Sequence, residues 1–277
     1  MQAFPLLSLT SIMKILFLGD IVGKPGRRAV AEILPQWKKE YEPDIVIANG
    51  ENMAHGVGFT SATIEEAQKA GVDFLTSGNH FAKKNEGLLL LADKKIPMVR
   101  PANYPPTVPG DGYRVIEVGA TKIAIINLIG RVFMRENFDC PFRELDSILK
   151  ELPKTVKNII VDFHAEATSE KNAFGWHADG RVSAVLGTHT HVPTADTKIL
   201  TKGTAFVTDA GMCGAYESVI GVEKEGVVAE FIDQLPRKHE IPEIGDVQVN
   251  GIVIDIDNQT GMANSIERLD AVVNNIY

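Results

Sequence analysis

The stretch Val182-Ser183-Ala184-Val185-Leu186-Gly187-Thr188-His189-Thr190-His191 decides how the rest of the chain is read. Residues 182–186 form a largely apolar run closed by a glycine, the pattern of a buried strand. Along a strand, residues two apart share a face. His189 and His191 are therefore expected to aim two imidazoles into one space beyond the strand end, a placement suited to holding a metal ion. Four other apolar runs end in polar clusters of the same kind: Gly19-Asp20, Asn49-Gly50-Glu51-Asn52, Gly78-Asn79-His80 and Val161-Asp162-Phe163-His164.

Outward from these ends the chain alternates strand-like and helix-like segments. Strands are predicted at 15–18, 44–48 and 72–76, with helices at 27–41, 61–70 and 86–95 between and after them. Pro35 should kink or split the first helix. Thr60-Ser61 before Glu65-Glu66 marks a helix start and Gly71 a stop. A proline-rich loop spans 97–109. Runs at 113–118 and 122–128 flank Gly119-Ala120-Thr121 as a hairpin. A helix at 142–152 and a strand at 158–163 follow, then strands at 182–186, 204–208, 226–232 and 247–256, with 236–245 as a surface loop. This pattern predicts a layered α/β fold with more than one sheet. Residues 13–277 read as a single domain and residues 1–12 as an N-terminal extension, because the first convincing strand begins near Met13.

In such sheets, ligands bind beyond the carboxyl ends of the strands. Asp20, Glu51, Asn79, His80, His164, His189 and His191 all fall at or just past predicted carboxyl ends. Each alone has a bland reading. Gly-Asp can be a plain turn, Asn-Gly-Glu-Asn a hydrated turn, Gly-Asn-His a helix cap, and a lone histidine a hydrogen-bonded core residue. Together they would require a coincidence at five equivalent strand ends.

Composition narrows the classes. The chain has 277 residues, 44% hydrophobic, with a net charge of −8, which excludes global disorder and does not favour a duplex nucleic-acid binder. Two cysteines, Cys140 and Cys213, provide no disulfide framework and fit a reducing, cytoplasmic setting. The apolar run near the N-terminus is short and lacks a basic flank, so neither a signal peptide nor a membrane span is expected. Gly23-Lys24 is not a phosphate loop, since Pro25 stands where Ser or Thr would bind magnesium.

The ordered set Gly19-Asp20, Gly78-Asn79-His80, His164 and Gly187-Thr188-His189-Thr190-His191 resembles the calcineurin-like metallophosphoesterase superfamily over most of the chain from Met13 onward. Two departures from that superfamily are shared with its bacterial YmdB-like subfamily. Val22, rather than histidine, stands two residues after Asp20, and Asn49-Gly50-Glu51-Asn52 replaces the usual aspartate motif. Gly19-Asp20-Ile21-Val22-Gly23-Lys24-Pro25-Gly26-Arg27 is also similar to the subfamily. After Gly78-Asn79-His80 that subfamily carries an aromatic and an acidic residue, whereas this chain has Phe81-Ala82-Lys83-Lys84.

The resemblance implies a metallophosphatase-type fold of two mixed β-sheets flanked by helices. It also implies that Asp20, Glu51, Asn52 and His191 hold one metal, and Glu51, Asn79, His164 and His189 a second, with Glu51 bridging. The mixed nitrogen and oxygen donors favour iron or manganese, with zinc also compatible. The implied activity is hydrolysis of small phosphodiesters, 2′,3′-cyclic nucleotides such as 2′,3′-cyclic AMP among them. A hydroxide shared by the metals would attack phosphorus, and His80 would protonate the leaving oxygen as general acid. The alternatives are a nuclease or phosphomonoesterase on the same site, or a regulatory RNA-related or protein-binding module that keeps its metals as scaffold. A homo-oligomer is compatible with all of them. His55 and His177 read as polar loop residues, His239 as surface, and Trp37 and Trp176 as packing residues. Cys213 is expected near the site without a catalytic role.

Overall fold

The computed structural model describes residues 12–276. The expected extension, 1–12, lies outside them except for Ile12, which opens the first strand and pairs with Asp257. The chain runs β1 (Ile12–Leu18), β2 (Asp20–Ile21), α1 (Gly23–Tyr41), β3 (Ile45–Asn49), α2 (Ser61–Ala70), β4 (Phe74–Thr76) and α3 (Asn85–Ala92). Then follow β5 (Tyr113–Val118), β6 (Thr121–Ile129), α4 (Pro141–Glu151), β7 (Asn158–His164), α5 (Thr168–Ala178), β8 (Ala184–Thr188), β9 (Lys198–Ile199) and β10 (Ala205–Val207). The described chain closes with β11 (Met212–Ala215), α6 (Lys224–Asp233), β12 (Gly245–Asp257) and β13 (Ala263–Ile276).

These strands form two mixed sheets. The first has the order β2-β11-β12-β1-β3-β4, with β13 added on β12, and the second β5-β6-β7-β8-β10-β9. In β1, Leu16 and Leu18 point to one core while Ile15 and Phe17 point to another. The alternation follows from the strand period of two, and apolar residues on both faces mark a strand covered on both sides. The core holding Phe17 also takes Ile125 of β6, Ile160 of β7 and Leu186 of β8, so it lies between the sheets. Leu16 and Leu18 face α1 and α2, and Val161 and Phe163 of β7 face α4 and α5. The result is a helix–sheet–sheet–helix sandwich, in keeping with the layered α/β fold of more than one sheet that the pattern predicts and with the two mixed sheets flanked by helices that the resemblance implies.

Several boundaries move. α1 begins at Gly23, with Pro25 in its first turn, where a missing N–H costs nothing. Pro35 does not split it: the helix is continuous from Gly23 to Tyr41. Pro35 and Ala31 are both exposed, so the carbonyl left without a partner can be hydrated. The strand predicted at 226–232 is wrong. Those residues belong to α6, whose last turn is closed by Gln234 in a left-handed conformation (φ 59°) donating to the Glu230 carbonyl. Only Val227 of that helix is buried, so the segment has no sheet edge to join and bonds its backbone locally. α5, β11 and β13 were not foreseen. His177 lies on α5 instead of in a loop, bonded to Asp146 Oδ1 at 3.0 Å. Trp37 packs in the core as expected, whereas Trp176 is exposed. The 236–245 segment is irregular, and its Ile241 packs against Gly23 and Gly56 beside the strand ends. Among the described residues, no helix is long and apolar enough to cross a membrane.

Phe17 is fully buried between the sheets. Phe17→Ala is expected to lower stability by about 3–5 kcal/mol in urea unfolding.

Candidate metal centre

β1, β3 and β4 run parallel to one another, and so do β6, β7 and β8. Their carboxyl ends therefore emerge together, one group from each sheet. Asp162, fully buried on β7, ties the groups to each other. Its Oδ2 accepts hydrogen bonds from Asn49 Nδ2 of β3 (2.9 Å) and Thr76 Oγ1 of β4, and its Oδ1 accepts from Thr188 Oγ1 of β8 (2.6 Å). Burial pushes its carboxyl pKa up to about 6, so above that pH it is a carboxylate serving three donors.

All the residues expected at the site meet here. Glu51 is at the centre. Its Oε1 lies 3.3 Å from His164 Nε2, 3.2 Å from His80 Nδ1 and 3.1 Å from Asn52 Nδ2. Its Oε2 accepts the His80 backbone N–H at 3.0 Å. His164 Nε2 lies 3.1 Å from both His189 Nδ1 and Asn79 Oδ1. His191 Nε2 lies 3.2 Å from Asn52 Nδ2 and 3.7 Å from Asp20 Oδ1, whose Oδ2 accepts the His189 backbone N–H at 3.1 Å. The amide of Asn52 turns its nitrogen, not its oxygen, toward His191 and Glu51.

The two histidines do not reach the site by strand alternation. β8 ends at Thr188, and both His189 (φ 96°) and His191 (φ 64°) are in the left-handed region. For a non-glycine residue that conformation needs support from its surroundings. Asp209 supplies it. Its carboxylate accepts from the Thr190 backbone N–H (3.1 Å), the Thr190 hydroxyl (2.8 Å) and the Gly211 N–H (2.8 Å), and pairs with the buried Lys171 ammonium at 2.7 Å. The loop is thus pinned at the residue between the histidines, and their rings reach different partners, His189 beside His164 and His191 beside Asn52 and Asp20.

Charge follows geometry. Burial opposes ionisation of Glu51, but His164 and His80 beside it hold its carboxyl well below the usual range. Burial likewise opposes charge on Asp20 and on His191. Their mutual attraction wins, lowering Asp20 and raising His191 to about 9. His189, also desolvated and facing the charge of His164, falls to about 3.

The donor set fits a metal ion on three observations. First, Asp20 Oδ1 is buried and has no hydrogen-bond donor. Second, a β-carbon at Gly78 would overlap Glu51 Oε2 and His164 Nε2, so glycine is needed for those two atoms to converge. Third, each histidine has its outer nitrogen held by an acceptor. Thr188 gives its single hydroxyl proton to Asp162, so its oxygen must accept from His164 Nδ1–H (2.9 Å). The Ile220 carbonyl accepts from His191 Nδ1–H (2.8 Å), and Glu166 faces His189 Nε2 (3.2 Å). Each ring thereby keeps its outer proton, so the nitrogen turned inward is the one that gives up its proton when a metal binds, the support that metal-binding histidines receive. Glu51, His164 and His189 each offer an atom within 4.8 Å of the others.

The supporting residues Asp162, Glu166, Thr188, Asp209, Lys171 and Ile220 were not singled out from the sequence as functional. Asp162 and Thr188 did leave a signal, as polar residues inside or ending strongly apolar strands. His55 is exposed and His239 lies on the surface, both outside the cluster. Cys213 is buried on β11, where burial pushes its thiol up to about 12, an environment unsuited to a thiolate nucleophile.

The layering is that of the metallophosphatase-type fold. The chain belongs to the YmdB-like family, whose model matches residues 16–269, and that family implies divalent metal ions. It is 46% identical over 258 residues to the 2′,3′-cyclic-nucleotide 2′-phosphodiesterase of Bacillus subtilis, covering 93% of this chain and 96% of that protein. Among solved structures, a hypothetical protein from Thermus thermophilus superposes with a TM-score of 0.87 at 41% identity, covering 94% of this chain and 99% of that one. A phosphatase from Mycoplasma pneumoniae does so with a TM-score of 0.90 at 37% identity, covering 96% and 95%.

The Thr188 hydroxyl should matter through the tautomer of His164. Thr188→Val is expected to weaken metal binding about 10–100-fold and Thr188→Ser to retain it, as read by titration calorimetry on the metal-free protein.

Proposed function

We propose that this protein is a phosphodiesterase with a dinuclear metal centre, acting on 2′,3′-cyclic nucleotides and related small diesters. The observation that carries the proposal is the position of Glu51. It is a buried carboxylate in contact with both His164, which meets His189 and Asn79, and Asn52, which meets His191 beside Asp20. Two such groups sharing one carboxylate suit a pair of cations about 3.5–4 Å apart, provided the Asn52 amide turns its oxygen inward on binding. Imidazole, carboxamide and carboxylate donors without a thiolate favour iron or manganese. When bound, such ions supply Lewis acidity and a nucleophilic water at neutral pH. The name of the Bacillus subtilis relative supports the substrate class.

His80 has the geometry of a general acid. Its backbone N–H is anchored on Glu51 Oε2, and its Nδ1 donates to Asn52 Oδ1 at 2.7 Å, with Glu51 Oε1 as a second acceptor. Nδ1 therefore keeps its proton whether the ring is charged or neutral. Nε2, which has no protein partner among the described residues, is the atom that would deliver a proton to the leaving oxygen and recover it afterwards. The ring is 27% exposed, open enough for that exchange.

Elemental analysis together with hydrolysis of bis-p-nitrophenyl phosphate and 2′,3′-cyclic AMP tests the assignment. Wild type should carry about two metals per chain. Glu51→Gln should lose metal and activity together. His80→Ala should keep its metal and lose about 10²–10⁴-fold in kcat. Metal bound by the wild type without turnover of any diester would sink the enzyme reading and favour a regulatory module.

A further inference from the structure

A cavity of about 390 Å³ adjoins the cluster and includes His191 in its wall. Its other walls are mainly apolar, with Val192, Met212, Tyr216 and Ile220, and one carboxamide, Gln248. Val192, Tyr216 and Ile220 are 55%, 56% and 48% exposed, so large apolar groups stand in solvent on the rim of a polar site.

Ile220 links the cavity to the cluster. It is a β-branched residue at φ 48°, a conformation such side chains rarely adopt. The loop imposes it. Val219 and Val222 exchange backbone hydrogen bonds at 2.8 and 3.0 Å, and Ser218 Oγ accepts the Gly221 N–H at 2.9 Å. Held this way, Ile220 points its carbonyl at His191 Nδ1 while its side chain lines the cavity. One strained residue thus orients a candidate ligand and forms the adjoining wall, which is where strain is found when it serves a site.

Gln248 supplies the polar group. β12 pairs with β1 through Gly251↔Leu18, so Gln248 lies three positions past the carboxyl end of β1, the end that carries Asp20. Its carboxamide makes no side-chain hydrogen bond among the described residues. A carboxamide offers one acceptor and two donors, the complement of a base edge. A flat aromatic ring, aliphatic walls and one unpartnered carboxamide are the elements by which proteins hold an unpaired base.

We infer that this cavity receives the nucleobase of the substrate, with Tyr216 stacking on its face, Ile220 and Val192 against its sides and Gln248 reading its edge, while the phosphoryl group lies over the cluster. The inference rests on the phosphodiesterase reading above and adds to it a basis for preferring nucleotides to base-free diesters.

The full-length wild type, Tyr216→Ala, Tyr216→Phe and Gln248→Ala are compared on three probes. They are 2′,3′-cyclic AMP, ribose 2,3-cyclic phosphate, which lacks the base, and adenosine, which lacks the phosphate and is followed by saturation-transfer NMR. In Tyr216→Ala, the ratio of kcat/KM for cyclic AMP to that for the ribose compound should fall about tenfold, mainly through KM, and adenosine transfer should fall with it. Tyr216→Phe keeps the ring and should restore both. Gln248→Ala should lower the same ratio. An unchanged ratio in Tyr216→Ala, or adenosine contact equal to that of wild type, overturns the base site. If wild type hydrolyses neither diester yet binds adenosine in a Tyr216-dependent way, the phosphodiesterase reading fails and the base site stands.

Discussion

The geometry of the cluster depends on Asp162. A carboxylate buried between two sheets is costly unless several donors satisfy it, and Asp162 draws its donors from β3, β4 and β8 at once. The two apolar sheet faces would pack at many relative offsets for similar energy, because the hydrophobic effect has no direction. The bonds from Asn49 and Thr76 cross from the first sheet to Asp162 on the second and are directional, so they favour the offset at which the ends of β3, β4 and β7 coincide, while the Thr188 bond ties β8 to β7 within one sheet. The same carboxylate sets the Thr188 hydroxyl, and through it His164. Register and ligand orientation therefore share one origin.

Around Glu51 the opposite condition holds. Imidazoles and carboxylates crowd together with burial opposing the charge of each, and one carboxylate oxygen, on Asp20, is left without a donor. Each group is positioned from behind by something outside the cluster: Thr188, Ile220 and Glu166 for the histidines, and Asp209 with Lys171 for the loop that carries two of them. Such an arrangement has donors aimed at a common space and their rear contacts satisfied. A cation explains why so many ionisable groups converge on one space with one buried carboxylate oxygen of Asp20 left without a donor.

Much of this was legible in the sequence, for physical reasons. Strands covered on both faces must be apolar throughout, so 15–18, 158–163 and 182–186 stood out, and polar residues immediately after them had to lie at the sheet ends. What stayed hidden depended on distant partners. Asn49 and Asp162 are 113 positions apart, and nothing local foretells that one satisfies the other. Lys171, on a helix rich in polar residues, is buried against Asp209, 38 positions away, a pairing that no local pattern foretells. β13 gives no clean strand signal because it joins the sheet through β12 and half of its side chains are polar, without strict alternation. α6 was misread because a short valine-rich run fits strand and helix periods equally, and burial decides between them. The histidine pair was foreseen for a partly wrong reason: two left-handed residues, not strand alternation, bring the rings to the site.

Crystals of the full chain grown with manganese, with diffraction recorded on both sides of the manganese absorption edge, test the central claim most directly. The account predicts two anomalous peaks about 3.5–4 Å apart flanking the Glu51 carboxylate, one against His164, His189 and Asn79 and the other against Asp20, Asn52 and His191. A single peak away from Glu51, or none at saturating manganese, would contradict it.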